Sequence, residues 1–340
     1  MKSAPVISAK FWERIAEPTS RFHSDYLAYR SGEITKIELI ARLPHIAMLG
    51  DSVCTNVYIS SPLSTFWRAR TCRGGNWFLD SDPSRIHSVS RKLEVLTPFI
   101  AAEYAGVGAM VDHECDRLSF LRRILGTRNF SGQVSQLLEA RRFPDLILVS
   151  IGHNNVDWTW QCPSSDLKEP DNRLQKEAGT FRKNFTRELR RLIERAGAEK
   201  HRVAIIVYGL VNFGAYFEAR EDAERRRAQD PALYPHLETT YKYFGSFRPE
   251  YRRNLIRLAT RVNGELRAMV DELNRDLVGK PDMQLCYSDA LATADLSHVE
   301  LLHAIDGWHP SVEGHNALAE AAFNQLGPTL EFLGIKAPAG

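Results

Sequence analysis

The stretch HIAMLGDSVC (residues 45–54) begins like a buried strand and ends in a turn that presents an acid and a hydroxyl. Four of the five residues from Ile46 to Gly50 are apolar, which is typical of a strand that is buried on both faces. Asp51 and Ser52 follow at once. Two interpretations are open at this point: a strand-to-helix turn with a polar cap, or a serine nucleophile held at the edge of a sheet.

Outward from this stretch, the chain alternates between strand-like and helix-like patterns. Apolar runs that predict further strands lie at 99–110, 144–155, 201–213 and 283–290. Apolar residues at helical spacing predict helices over 131–142, 172–196, 251–277 and 311–326. This alternation predicts a doubly wound α/β sheet with helices on both faces.

The pattern indicates one domain with additions. We expect an N-terminal helical lead at 1–44, a single domain at 45–330 and a C-terminal tail at 331–340, with insertions at about 56–98 and 212–250. In the second insertion Glu221 and Arg225 are spaced i,i+4, which predicts an ion pair on a solvated helix. The aromatic residues that follow are interpreted as packing the insertion down, with a pocket lining as the alternative.

Composition excludes several classes of protein. The chain has 340 residues, 44% of them hydrophobic and 25% charged, as in soluble globular proteins. Its 44 basic and 42 acidic residues nearly balance, so the charge gives no case for nucleic-acid binding. No apolar run predicts a transmembrane segment or a signal peptide, which favours the cytoplasm by default; a trimmed leader would fit a secreted or periplasmic location.

The five cysteines lie far apart and lack the spacing of a metal site. They are interpreted as thiols rather than disulfides, because a core of this size needs no cross-links. The sequence does not indicate an oligomeric state.

Polar residues follow the predicted strands, where ligands bind in open α/β sheets. Asp51 and Ser52 follow the first strand, and Gly106 and Gly108 follow the second. The third is followed by GHNN, at 152–155. A fourth block, DGWHPS at 306–311, lies near the C-terminus.

Together these residues supply the groups that serine hydrolysis requires. Ser52 offers the nucleophilic hydroxyl, His309 can take its proton, and Asp306 lies three residues earlier, where it can orient the imidazole. The N–H groups of Ser52 and Gly108 and the side-chain amide of Asn154 can donate to a developing oxyanion. Gly106 competes with Gly108 for that role.

In these blocks the chain resembles the SGNH hydrolases, the GDSL-type esterase and lipase superfamily. GDS, a glycine after the second strand, GHNN and DGWH occur in family order between residues 46 and 310. The resemblance implies a three-layer α/β/α sandwich around a five-stranded parallel, flavodoxin-like sheet. It also implies a serine that attacks an ester carbonyl, and neither a metal nor another cofactor.

The chain departs from the family pattern at two positions. Val53 replaces the leucine of the first block, and Asn155 replaces the usual aspartate of the third. Candidates for substrate contact are Asp51, His153, Asn155 and Trp308, although Asp51 is interpreted mainly as a residue that holds its turn.

The leading functional hypothesis is hydrolysis of a small-molecule, lipid or carbohydrate ester through an acyl-serine. An acyltransferase or a carbohydrate acetylesterase could use the same site. A third hypothesis is a non-enzymatic, flavodoxin-like module that binds a phosphate at the first turn. That module would leave the D-x-x-H block without a role.

Overall fold

The structure is a computed structural model, and it describes residues 11–55, 75–79, 86–112, 128–156, 170–234, 249–304, 307 and 309–335. Asp306 and Trp308, most of the first predicted insertion, and the aromatic part of the second after Tyr234 lie outside the described residues.

One parallel sheet organises the chain. Its strands are β1 (His45–Gly50), β2 (Ile100–Glu103), β3 (Leu146–Ser150), β4 (Val203–Tyr208) and β5 (Met283–Ser288). They lie in the order β2-β1-β3-β4-β5, and every neighbouring pair is parallel. This flavodoxin-like order, with helices on both sides of the sheet, confirms the predicted three-layer α/β/α fold.

The described helices are numbered here in chain order: α1 (Phe11–Ala16), α2 (His23–Ser31), α3 (Lys36–Arg42), α4 (Val89–Glu94), α5 (Phe130–Leu138), α6 (Pro170–Ala196), α7 (Phe213–Gln229), α8 (Pro249–Arg275), α9 (Ala290–Thr293), α10 (Val312–Asn324) and α11 (Gly327–Phe332). Short 3-10 helices span Ser52–Cys54 and Val299–Leu301. The four helices predicted from apolar spacing correspond to α5, α6, α8 and α10.

Burial explains why the strands read as continuous apolar runs. Every residue of β3 and β4 is buried, and so is every residue of β1 after His45. At the edge of the sheet, β5 is only partly buried. The lead helices α1 to α3 form a smaller cluster that includes Ile100 of β2.

The apolar run at 99–110 contains a shorter strand than its length suggests, because β2 ends at Glu103. Beyond it the chain turns: Ala109 N–H donates to the Gly106 carbonyl at 3.1 Å, and Gly108 has a φ of 71°. A positive φ at the third position of a turn is typical of type II and favours glycine. The two glycines therefore form a loop, which leads toward the site.

Helix α7 is solvated over its charged part, where only Ala223 is buried between residues 221 and 229. Its first half buries one face, including Phe213, Tyr216 and Phe217. The predicted Glu221–Arg225 pair is wrong, because Arg225 lies 3.1 Å from Asp222 and Glu221 binds Arg252 of α8. These ion pairs depend on contacts with neighbouring elements, which residue spacing along one helix cannot predict.

A search of the described helices found none with the length and apolar character that crossing a membrane requires. Cys54 and Cys286 are free thiols, and the other three cysteines lie outside the described residues.

Candidate active site

The turn after β1 is held tightly before it reaches Ser52. A Cβ atom on Gly50 would lie 2.5 Å from Cys54 Sγ and 2.8 Å from the Ser150 carbonyl, so only glycine fits there. The buried side chain of Gln133 brackets Gly50: its Oε1 accepts from the Gly50 N–H at 2.9 Å, and its Nε2 donates to the Gly50 carbonyl at 2.8 Å. These contacts fix the direction in which the chain leaves the strand.

Asp51 joins this turn to the turn after β3. Its carboxylate is fully buried, and Oδ1 accepts from the Val53 N–H at 3.1 Å. Oδ2 accepts from the Gly152 N–H, the His153 N–H and His153 Nδ1 at 3.0, 3.1 and 2.9 Å. Because four donors occupy the carboxylate, the contacts favour a turn-holding role over substrate contact.

His153 extends the connection to a third strand end. Its buried ring bonds Asp51 through Nδ1, and its Nε2 lies 3.2 Å from the Val211 N–H, just beyond β4. A backbone N–H can only donate, so Nε2 accepts and Nδ1 carries the proton of a neutral imidazole. The histidine thereby links the carboxyl ends of β1, β3 and β4.

The next two residues join the turn after β3 to the loop after β2. Asn154 Nδ2 donates to the Ala109 carbonyl at 2.9 Å. Asn155 pairs twice with Val111, accepting from its N–H at 2.8 Å and donating to its carbonyl at 2.5 Å. An ionised aspartate could make only the first of these bonds, so the amide at 155 fits this loop.

The two candidate glycines differ in what their backbone does. The N–H of Gly106 donates to the Gly50 carbonyl at 3.1 Å and so braces the turn after β1. Gly108 holds the positive-φ position of the turn. The Gly106 N–H is already engaged, and the role of Gly108 as a donor to an oxyanion remains a prediction.

His309 lies in a separate loop that returns to the sheet edge. Leu302 and Pro310 form an isolated antiparallel bridge, and the His303 N–H donates to the His309 carbonyl at 2.8 Å. The hydroxyl of Ser311 then caps α10 by accepting from the Gly314 N–H at 3.0 Å. These contacts leave His309 buried, with 5% of its surface exposed.

Ser52 lies beside a small cleft at the carboxyl edge of the sheet. The lining residues come from the ends of several strands and from the bridge: Ser52, Val53, His153, Asn154, Val211, Phe213, Tyr216, Leu296 and Pro310. Strands β1 and β3 flank the point where the strand order reverses, where open α/β sheets bind their ligands. The structure thus brings Ser52, His153 and Asn154 together at such a point.

The hydroxyl of Ser52 makes no hydrogen bond to any residue in the described part of the chain, His309 included. Pro310, the next residue after His309, lines the cleft. In ligand-free enzymes a nucleophile–base hydrogen bond is often long and shortens in the substrate complex. The proposed Ser52–His309 pair therefore remains a prediction.

A rival nucleophile lies two residues from Ser52. Burial raises the pKa of the Cys54 thiol well above its usual value, and the nearby Asp51 carboxylate raises it further. Its Sγ donates to the Ser150 carbonyl at 3.3 Å. Because the thiolate is the reactive form, Cys54 stays inert at neutral pH and leaves Ser52 as the candidate.

Sequence reasoning missed the residues that brace the site from a distance. Gln133, buried on α5, clamps Gly50; its one signal is a polar residue on an otherwise apolar helix face. Val211 fixes His153 through a backbone N–H, which no side-chain pattern can signal. Among the described residues, no group of three or more His, Cys, Asp or Glu side chains could hold a metal ion.

Solved structures of similar fold include three ester-cleaving enzymes. An extracellular lipase from Streptomyces rimosus has 13% identity and a TM-score of 0.47, covering 83% of this chain and 99% of that one. Phospholipase A1 from Streptomyces albidoflavus has 12% identity and a TM-score of 0.45, with the same coverage. A carbohydrate esterase of family 3 from Talaromyces cellulolyticus has 14% identity and a TM-score of 0.40, covering 85% and 99%.

At these TM-scores the likeness carries no inference about substrate. The comparison with curated proteins gives no match. The sequence pattern described as GDSL-like Lipase/Acylhydrolase matches residues 46–322, which is most of the chain and includes every block of the candidate site. Such membership supports ester hydrolysis at a general level. With its five-stranded parallel sheet and a GDS turn at the switch point, the chain belongs to the GDSL-like lipase/acylhydrolase family.

Proposed function

We propose that this chain hydrolyses carboxylic esters through an acyl intermediate on Ser52. The observation that carries the proposal is the shared cleft, in which the Ser52 hydroxyl and the Asn154 amide lie on turns that Asp51 and His153 hold together. Fixed donors beside a nucleophile stabilise the charge that develops on an ester oxygen.

In the first half of the reaction, Ser52 Oγ bonds to the ester carbonyl carbon while His309 takes the hydroxyl proton. Asp306 orients the imidazole. The oxyanion accepts hydrogen bonds from the N–H groups of Ser52 and Gly108 and from Asn154 Nδ2, which has a second hydrogen beyond the one given to Ala109. The C–O bond then breaks, and the alcohol leaves with the proton from His309.

In the second half, water attacks the acyl carbon and gives a proton to His309. The Ser52–acyl bond breaks, the serine regains its proton, and a carboxylic acid leaves. An alcohol or sugar hydroxyl in place of water would make the same site an acyltransferase.

The lining of the cleft points to an ester with an apolar acyl or alcohol group. Val53, Val211, Phe213, Leu296 and Pro310 supply apolar surface. The described lining holds no Asp, Glu, Lys or Arg side chain. The carboxylate of Asp51, next to Ser52 in the chain, is buried and fully bonded.

The direct test is hydrolysis of p-nitrophenyl esters from acetate to palmitate, run beside an acetylated polysaccharide and with added alcohols. We expect Ser52→Ala and His309→Ala to lower kcat at least about 1,000-fold while the circular dichroism spectrum is retained. Ser150→Ala is a matched control, since the hydroxyl of this buried serine of β3 makes no hydrogen bond to any described residue. Wild-type protein that cleaves none of these esters, or Ser52→Ala that cleaves them equally, would overturn the proposal.

A further inference from the structure

Helix α7 buries a whole arginine. Arg220 has none of its surface exposed, although the helix around it is rich in charged residues. Fully buried arginines are rare, because taking a guanidinium out of water costs several kcal/mol unless partners compensate. The position of Arg220 therefore calls for a specific role.

The guanidinium reaches the loop that carries the histidine. Arg220 Nη1 donates to the Gly307 carbonyl at 3.1 Å, across 87 positions of the chain. Gly307 lies between Asp306 and His309, has a φ of 56°, and donates its own N–H to the His303 carbonyl at 2.8 Å. Arg220 thus holds the backbone at the centre of the D-x-x-H block.

One carboxylate of the same helix lies near the buried charge. Arg220 Nε lies 3.6 Å from Glu224, one turn further along α7. Glu224 also binds Arg252 of α8 at 2.8 Å, and Arg252 binds Glu221 at 2.8 Å. This network fixes α7 against α8, so the donor to Gly307 extends from a rigid support.

The same helix also contacts the cleft and the 3-10 helix that precedes the loop. Tyr216, one turn before Arg220, lines the cleft beside Ser52. Arg226 binds Glu300 of the Val299–Leu301 helix at 3.0 Å. Helix α7 is therefore placed to set the distance between the cleft wall and the histidine loop.

We propose that Arg220 is a positioning residue for the acid–base loop: by holding the Gly307 carbonyl it sets the backbone between Asp306 and His309. The inference rests on the proposed function, because only a reaction that uses His309 makes this geometry matter for rate. Displacements of about 1 Å in a catalytic group can lower a rate by about 100-fold.

The test compares Arg220→Met with wild type and with Arg225→Met, which removes an arginine of the same helix whose side chain is 73% exposed. We expect Arg220→Met to lower kcat at least about 10-fold with KM within about twofold, while Arg225→Met keeps kcat near wild type. Guanidinium chloride at 10–50 mM should restore part of the kcat of Arg220→Ala, and sodium chloride at the same concentration should not. Arg220→Gln, whose amide is too short to replace the guanidinium, serves if the methionine variant does not fold.

The outcomes separate the two proposals. Wild-type protein without Ser52-dependent hydrolysis overturns the proposed function. An active wild type together with folded Arg220→Met or Arg220→Gln of unchanged kcat overturns only the role of Arg220. A kcat loss that merely follows the folded fraction, with no recovery in guanidinium, overturns it as well.

Discussion

The two sides of the cleft are built in different ways. On the nucleophile side, short turns directly after β1 and β3 are joined by the buried carboxylate of Asp51 and by His153. On the histidine side, His309 lies in a loop closed by the Leu302–Pro310 bridge and held by Arg220 from α7. The first side is part of the sheet edge, whereas the second depends on an added helix.

This difference suggests that the two sides have different roles in the reaction. A nucleophile and its oxyanion donors gain from rigidity, because donors fixed in advance need no reorganisation during the reaction. The base must meet both the serine and the leaving group, and its loop is supported from α7, where Arg220 donates to the Gly307 carbonyl.

The largest expected effect in this comparison is the loss of the Asp51 carboxylate. Asp51→Ala leaves four N–H donors without their acceptor, three of them on the buried residues Gly152 and His153 and one on the half-buried Val53. We expect the free energy of unfolding to fall by about 3 kcal/mol or more, measured by urea denaturation.

Asp289 is the matched control for Asp51, because it follows β5 as Asp51 follows β1 but lies 40% exposed beside Arg267. Asp289→Ala should lower the free energy of unfolding by less than about 1 kcal/mol. Equal losses in the two variants would show that the nucleophile side is not braced as described.

A smaller effect is expected on the histidine side, and it depends on pH. His315 of α10 is buried, and burial lowers its pKa to about 3, with the neighbouring His309 and His303 contributing. Its Nδ1 accepts from the Trp77 N–H at 3.2 Å, so the neutral ring is built into the fold. The unfolded chain, with a pKa near 6.5, therefore binds a proton more readily than the folded chain between these values.

Stability should accordingly fall as the pH drops below about 6.5, and this single group contributes about 2 kcal/mol between pH 7 and pH 5. His315→Asn keeps an acceptor for Trp77 and removes the titration, so its unfolding free energy should change less over that range. His298, whose side chain is 72% exposed, gives the control variant His298→Asn with the acid response of wild type. An unchanged response in His315→Asn would contradict the neutral, buried state of this ring.

The fold could be predicted because each central strand is a continuous apolar run, and its polar residues follow where the run ends. The positions of Ser52 and Asn154 were predictable for the same reason, since they lie two and four residues after β1 and β3. Gly108 lies further from its strand, because β2 ends at Glu103. Gln133 and Arg220 could not be predicted, because each acts on backbone atoms more than 80 positions away. The role of Asn155 likewise depends on its hydrogen bonds to the Val111 backbone, which the residue types alone do not predict.

The predicted contribution of Asp306, the absence of a cofactor, the domain limits and the location in the cell remain predictions. The proposed chemistry of the cleft depends on whether the Ser52 hydroxyl is activated as a nucleophile.

The most direct measurement is labelling with a fluorophosphonate, which forms a covalent bond with the activated serine of serine hydrolases. Wild-type protein and Ser150→Ala should each gain one adduct, located by peptide mass spectrometry on Ser52. Ser52→Ala should gain none. An unlabelled wild type, or a Ser52→Ala variant that labels equally, would contradict the claim that Ser52 is the nucleophile.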